Sequence, residues 1–211
     1  ILAGALVLAT GSDRNAALAR TIALIGAIAA FVVTLPLAMN FDSAIAGMQF
    51  VETTPWITRY HVNYSLGIDG ISLLLILLNS FTTIIVVLAG WRVIEKRVAQ
   101  YMAAFLVMSG LMNGVFAATD ALLFYVFFEA TLIPMFLVIG VWGGPNRVYA
   151  AVKFFLYTLL GSLLMLIALL YLYRASGGSF AIADWQKLPI AMTAQVMVFL
   201  AFLVAFAVKV P

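Results

Sequence analysis

Five stretches of this chain, residues 21–41, 71–91, 98–119, 121–142 and 154–173, are apolar, and only one of them carries a charge. Each is roughly 20 residues long, which at about 1.5 Å per residue matches a hydrocarbon layer of about 30 Å. Inside such a layer the backbone must satisfy its own hydrogen bonds, and the runs show no period-2 alternation, so helices and not barrel strands are required. Residues 1–10 read as the tail of another helix, and a seventh starts near Met192. The sequence therefore predicts an all-α, polytopic transmembrane helical bundle of about seven helices, the first and last incomplete. No repeat or linker divides it, so residues 1–211 read as one domain. Beginning at Ile1 and stopping at Pro211 within an unfinished apolar run, the chain reads as a piece of a longer one.

Composition supports the membrane reading and removes several chemistries. Charged residues are 9% of the chain against 66% hydrophobic, whereas soluble domains carry about a quarter charged. With no cysteine and a single histidine, His61, placed in a loop, thiolate-held clusters and bis-histidine haem have no ligands here. Neither a phosphate-cradling glycine loop nor a dinucleotide fingerprint occurs. Any redox chemistry must then sit on other chains, and no metal or cofactor is expected on this one. The net charge of +3 comes from basic residues at helix ends, where they orient a chain in the membrane; nucleic acid is not implied.

Those basic residues are distributed unevenly. The connections 11–19, 92–97 and 143–148 hold Arg14, Arg92, Lys96, Arg97 and Arg147, with Arg20 and Lys153 close by. The alternate connections, 42–67, 119–120 and 174–189, hold Arg59, Arg174 and Lys187. The first set is expected on the cytoplasmic or matrix side. The long 42–67 connection, with Pro55, Trp56, Tyr60 and Tyr64, reads as an external interfacial segment with aromatic anchors.

Two charges break the apolar rule. Glu129 lies about nine residues, or roughly 13 Å, into its helix, with Pro134 one turn beyond it. A carboxylate at that depth is costly unless paired or protonated. Pro134 has no N–H for the Ala130 carbonyl, so the turn beside the acid is expected to loosen and leave polar backbone free. A functional acid and a structural ion pair are both open readings. Lys209 ends a charge-free run from Leu188, two residues before Pro211. It either snorkels to the far interface or lies inside the membrane beside an interrupted helix. Lys153, a few residues inside its helix, is read as a snorkelling residue with a buried relay site as the alternative. Asp69 and Asp120 begin helices and are expected to cap them. Asn113 between Gly110 and Gly114 reads as helix packing, residues 92–97 as a topology signal and His61 as an ordinary loop residue.

The text around these residues is familiar. Phe128-Glu129-Ala130-Thr131-Leu132-Ile133-Pro134-Met135, continuing to Gly140-Val141-Trp142-Gly143, resembles the fifth helix of the chain M family of antiporter-like subunits of respiratory complex I, the NADH–quinone oxidoreductase. Lys153-Phe154-Phe155-Leu156-Tyr157-Thr158 resembles its sixth helix and Ala205-Phe206-Ala207-Val208-Lys209-Val210-Pro211 its seventh; Ile68-Asp69-Gly70-Ile71-Ser72 and Ile94-Glu95-Lys96 also match. The resemblance implies a proton-translocating membrane-arm subunit of which this is the N-terminal half, in a bacterial inner membrane or, alternatively, a mitochondrial one. It implies a coupled proton-transfer pair at Glu129 and Lys209, a seventh helix discontinuous near Pro211, and Lys153 as a secondary candidate on the path. NADH, FMN, iron–sulfur clusters and quinone would belong to partner chains, and other membrane-arm subunits, including neighbouring antiporter-like chains, would flank this one in the lipid bilayer. A chain of a multisubunit cation/proton antiporter or membrane-bound hydrogenase is the near alternative, and a purely structural scaffold the distant one.

Overall fold

The computed structural model describes residues 1–11 and 15–210; Arg14 and the expected helix break at Pro211 lie outside the described residues. Among the described residues, five helical spans are long and apolar enough to cross a membrane: α2 (Ala16–Met39), α3 (Gly70–Val93), α4 (Val98–Ala117), the pair α5 (Ala121–Ala130) and α6 (Leu132–Trp142) taken together, and α7 (Arg147–Ala175). The shorter α1 (Leu2–Ala9) and α9 (Met192–Ala207) bring the bundle to the expected seven, with a one-turn helix α8 (Ile182–Trp185) before α9. Large apolar side chains such as Val33, Leu74, Leu160 and Ile167 point outward, which suits lipid and would not suit water.

Helix α4 is the hub and touches α1, α2, α3, α5 and α6, while α7 packs on α6 and α9. Without a hydrophobic driving force between helices in lipid, small residues and polar contacts hold such a bundle. Both occur here. A Cβ on Gly110 would meet Ile1 at 2.6 Å and one on Gly114 would meet the Phe127 ring at 2.9 Å, so this pair lets α1 and α5 close onto α4. Between α3 and α4, Asn79 Nδ2 donates to Asn113 Oδ1 at 2.7 Å and to the Ser109 carbonyl at 2.9 Å, and Asn113 Nδ2 donates to Ser80 Oγ at 3.3 Å. Thr83 and Ser109 hydroxyls join it at 2.7 Å. Bonds of this kind contribute about 0.6–2 kcal/mol each, so Asn113 does more than the small-residue packing expected of it.

The 42–67 connection, expected as an external interfacial segment, contains a hairpin that the sequence did not suggest. Strand β1 (Gln49–Ile57) pairs antiparallel with β2 (Val62–Ile68) through a 3₁₀ turn at Thr58–Tyr60. His61 closes the turn at φ 53°. Pro55 is accommodated because β1 is an edge strand. Trp56, Tyr60 and Tyr64 are exposed, as anchors at an interface would be.

Beneath the hairpin the helix starts are tied together. Asp69 and Ser72 form a reciprocal cap on α3, with Ser72 N–H donating to Asp69 Oδ1 at 2.7 Å and Asp69 N–H donating to Ser72 Oγ at 2.8 Å; the first of these holds the Asp69 carboxyl below its ordinary value. Asp120 is 2% exposed. Its Oδ1 accepts from Leu122 and Leu123 N–H at 2.9 and 3.1 Å, and its Oδ2 accepts from Asn63 N–H of β2 at 3.1 Å. Beyond capping α5 as expected, it fastens the hairpin to the bundle.

Candidate functional site

The site forms where the Ala121–Trp142 span breaks. Helix α5 stops at Ala130 and α6 begins at Leu132. Pro134 cannot donate to Ala130, and the next N–H, from Met135, reaches the Thr131 carbonyl only at 3.4 Å. Thr131 Oγ1 instead donates back to the Phe128 carbonyl at 2.7 Å. The loosened backbone expected from Pro134 is thus present, one turn before the proline.

Glu129 lies in the last turn of α5, and its Oε1 is buried with no hydrogen-bond partner among the described residues. Tyr125 lies one turn earlier on the same face of α5. Lys209 comes from the other side. Helix α9 ends at Ala207, and a turn follows in which Lys209 N–H donates to the Phe206 carbonyl at 3.0 Å. The ammonium does not snorkel to the far interface. It donates to the Phe128 carbonyl at 3.0 Å and stands 3.3 Å from the centroid of the Phe128 ring. Glu129 is the next residue along α5 from Phe128.

The approach of α9 is set by Gly161. A Cβ there would lie 2.9 Å from a Val208 methyl, so glycine lets the Lys209 turn settle on α7. Around it Phe128, Met165, Leu169 and Ala205 are buried together, giving the low-dielectric surroundings in which charge interactions are strong. Lys153 is exposed, with its ammonium 5.8 Å over the Tyr149 ring. Nine residues before Ser162, it faces the opposite side of α7, and the structure does not bring it to Glu129 or Lys209. Among the described residues no group of three or more His, Asp or Glu could hold a metal.

Phe128 and Tyr125 escaped the reading of the sequence. Two signals were there: Tyr125 precedes Glu129 by four residues and so shares its face, and Thr131 three residues after Phe128 can bond back to that carbonyl.

Residues 118–211, which contain the helix break, Glu129 and Lys209, match the family described as NADH:quinone oxidoreductase/Mrp antiporter, transmembrane. The whole chain aligns with NADH-quinone oxidoreductase subunit M of Rhodobacter capsulatus at 47% identity, covering 44% of that protein. Over residues 118–211 the chain belongs to this family of antiporter-like membrane subunits. Its likeness is to the subunit M branch: NADH-ubiquinone oxidoreductase chain 4 of Arabidopsis thaliana is 42% identical over 99% of this chain and 42% of its own length. A chain of respiratory complex I from Thermus thermophilus with bound NADH superposes with a TM-score of 0.86 at 36% identity, over all of this chain and 42% of that one. A chain of the Mrp complex of Dietzia shares the fold, with a TM-score of 0.79 at 20% identity, over 99% of this chain and 23% of that one. The chain spans less than half the length of the curated relatives it matches. Its spanning helices and its bacterial and mitochondrial relatives make it a multi-pass inner-membrane protein.

Proposed function

We propose that this antiporter-like subunit translocates protons in the membrane arm of an NADH–quinone oxidoreductase, and that Glu129 and Lys209 carry the transfer. The observation that supports it best is the unpartnered Glu129 Oε1 on the residue next to the one whose carbonyl holds the Lys209 ammonium. Leaving a buried carboxylate oxygen unpaired costs several kcal/mol at most sites, about 1–3 kcal/mol even for neutral groups. Structural polar groups in this bundle avoid that cost: Asp120 uses both oxygens and Asn113 bonds across helices. A scaffold role would call for the same treatment of Glu129. An acid that must change partners would not receive it.

The chemistry is an exchange of one proton under a variable field. With the carboxylate drawn to Lys209, the ammonium keeps its proton. When the attraction lapses, the ammonium can release the proton to water reaching the loosened backbone at Thr131, and later regain one as the pair re-forms. NADH, FMN, iron–sulfur clusters and quinone supply the driving reaction from partner chains. Neighbouring antiporter-like subunits pass the change of field along the arm. Lys153 remains a secondary candidate, at the far side of α7.

The reading is tested with Glu129→Gln and Lys209→Met in the assembled complex, followed by NADH-driven acidification of inverted membrane vesicles. Pumping should fall at least about tenfold with assembly intact, the usual cost of removing an essential proton-transfer group being about 100-fold or more. Pumping at the parental rate by Glu129→Gln would contradict it, and sodium-dependent proton exchange without NADH-linked activity would move the chain to the antiporter class.

A further inference from the structure

Phe128 presents two features to one cation. Its carbonyl accepts from Lys209 Nζ at 3.0 Å, and its ring centroid lies 3.3 Å from the same nitrogen. The carbonyl is available because the helix breaks two residues later, and Thr131 Oγ1 is its other side-chain donor. The ring is 9% exposed and held from two sides. Phe124 stacks on it at 5.6 Å, and Phe206, three residues before Lys209, meets it edge-on at 5.9 Å. The position of this ring relative to the Lys209 turn is therefore fixed by packing.

Opening a buried ion pair normally strands two charges in an apolar interior, which is costly. A neutral carbonyl dipole and an aromatic face reduce that cost on the cationic side without introducing a second carboxylate. Both a cation–π contact and a charge-assisted hydrogen bond gain strength away from water.

We propose that Phe128 is a positioning residue, a neutral cradle in which the Lys209 ammonium rests while it is released from Glu129. The inference rests on the proton-transfer reading above and deepens it. Lys209 has two stations on adjacent residues, the Glu129 carboxylate and the Phe128 carbonyl and ring. A change of field from a neighbouring subunit shifts the ammonium between them. Removing the cradle leaves Lys209 tied to Glu129 and slows each cycle.

The test replaces Phe128 in the whole assembled complex with mono-, di- and trifluorophenylalanine. These keep the ring's shape and drain electron density from its face. Phe128→Trp and Phe128→Leu accompany them. NADH-driven proton pumping and quinone reduction are measured per assembled complex in vesicles. The rate should fall stepwise with fluorine number, by about tenfold for the trifluorinated ring. Phe128→Leu should match that loss and Phe128→Trp should retain most of the rate. A flat fluorine series overturns the proposal. So does a series in which the amount of assembled complex falls while the rate per complex holds, since the ring would then serve packing alone. Normal pumping by Glu129→Gln removes the parent reading; a pump-dead Glu129→Gln with a flat fluorine series removes the cradle only.

Discussion

Asp120 and Glu129 stand at the two ends of α5 and meet opposite fates. Asp120 has three backbone N–H donors on its two oxygens, whereas Glu129 Oε1 has none. Burial nevertheless pushes the Asp120 carboxyl above its ordinary value. Its ionised form is therefore a cost to folding at neutral pH, relieved as pH falls through the raised value. Asp120→Asn removes the charge and that pH dependence but turns an amide donor toward one of the N–H groups, so it should lower stability by less than the full truncation does. Asp120→Ala leaves three N–H groups unsatisfied and should lower stability by about 2 kcal/mol or more, read as the melting temperature of the purified complex. A stable Asp120→Ala would show that the hairpin is fastened elsewhere. At this scale the sequence announced the intramembrane charges, since a Glu or Lys in an apolar run is conspicuous. It concealed Phe128, which acts through a main-chain carbonyl and a ring that any core would contain. It also concealed Asn79, whose value lies in a partner 34 residues away.

Elements were legible in proportion to their apolar length. The five spans keep close to their expected bounds, except that α2 and α7 start earlier, at Ala16 and Arg147. The hairpin was not legible, because β1 has no buried face and so no alternation to read. Its presence explains how a polar connection is held over the bundle. The break between α5 and α6 makes its own prediction. Pro134→Ala restores a donor for Ala130 and should straighten the span, raising helix stability by up to about 3 kcal/mol while slowing pumping. A variant both straighter and fully active, judged by hydrogen exchange and vesicle acidification, would mean that the break is incidental. At the α7–α9 contact, Gly161→Ala pushes on Val208 and should displace the Lys209 turn, with a packing cost of about 1–3 kcal/mol. Val208→Ala should rescue the Gly161→Ala rate; failure to rescue would place the fault in α7 itself.

The whole molecule is oriented by its basic residues. Arg20, Arg92, Lys96, Arg97, Arg147 and Lys153 gather at the end opposite the hairpin, against Arg59, Arg174 and Lys187 at the hairpin end. The chain has no cysteine, so single ones report cleanly. Thr53→Cys should react with a membrane-impermeant maleimide from outside, and Gly144→Cys only in inverted vesicles. The reverse pattern would invert the path of the proton through the site.

The central claim is that Glu129 and Lys209 act as one unit, and a double-mutant cycle on pumping rate tests it most directly. Glu129→Asp and Lys209→Arg each keep the charge and shift its position, so each should retain a measurable rate. Residues that work as a unit are strongly non-additive. The double variant should therefore pump no more slowly than the worse single variant. Losses that multiply, as for two independent sites, would contradict the account.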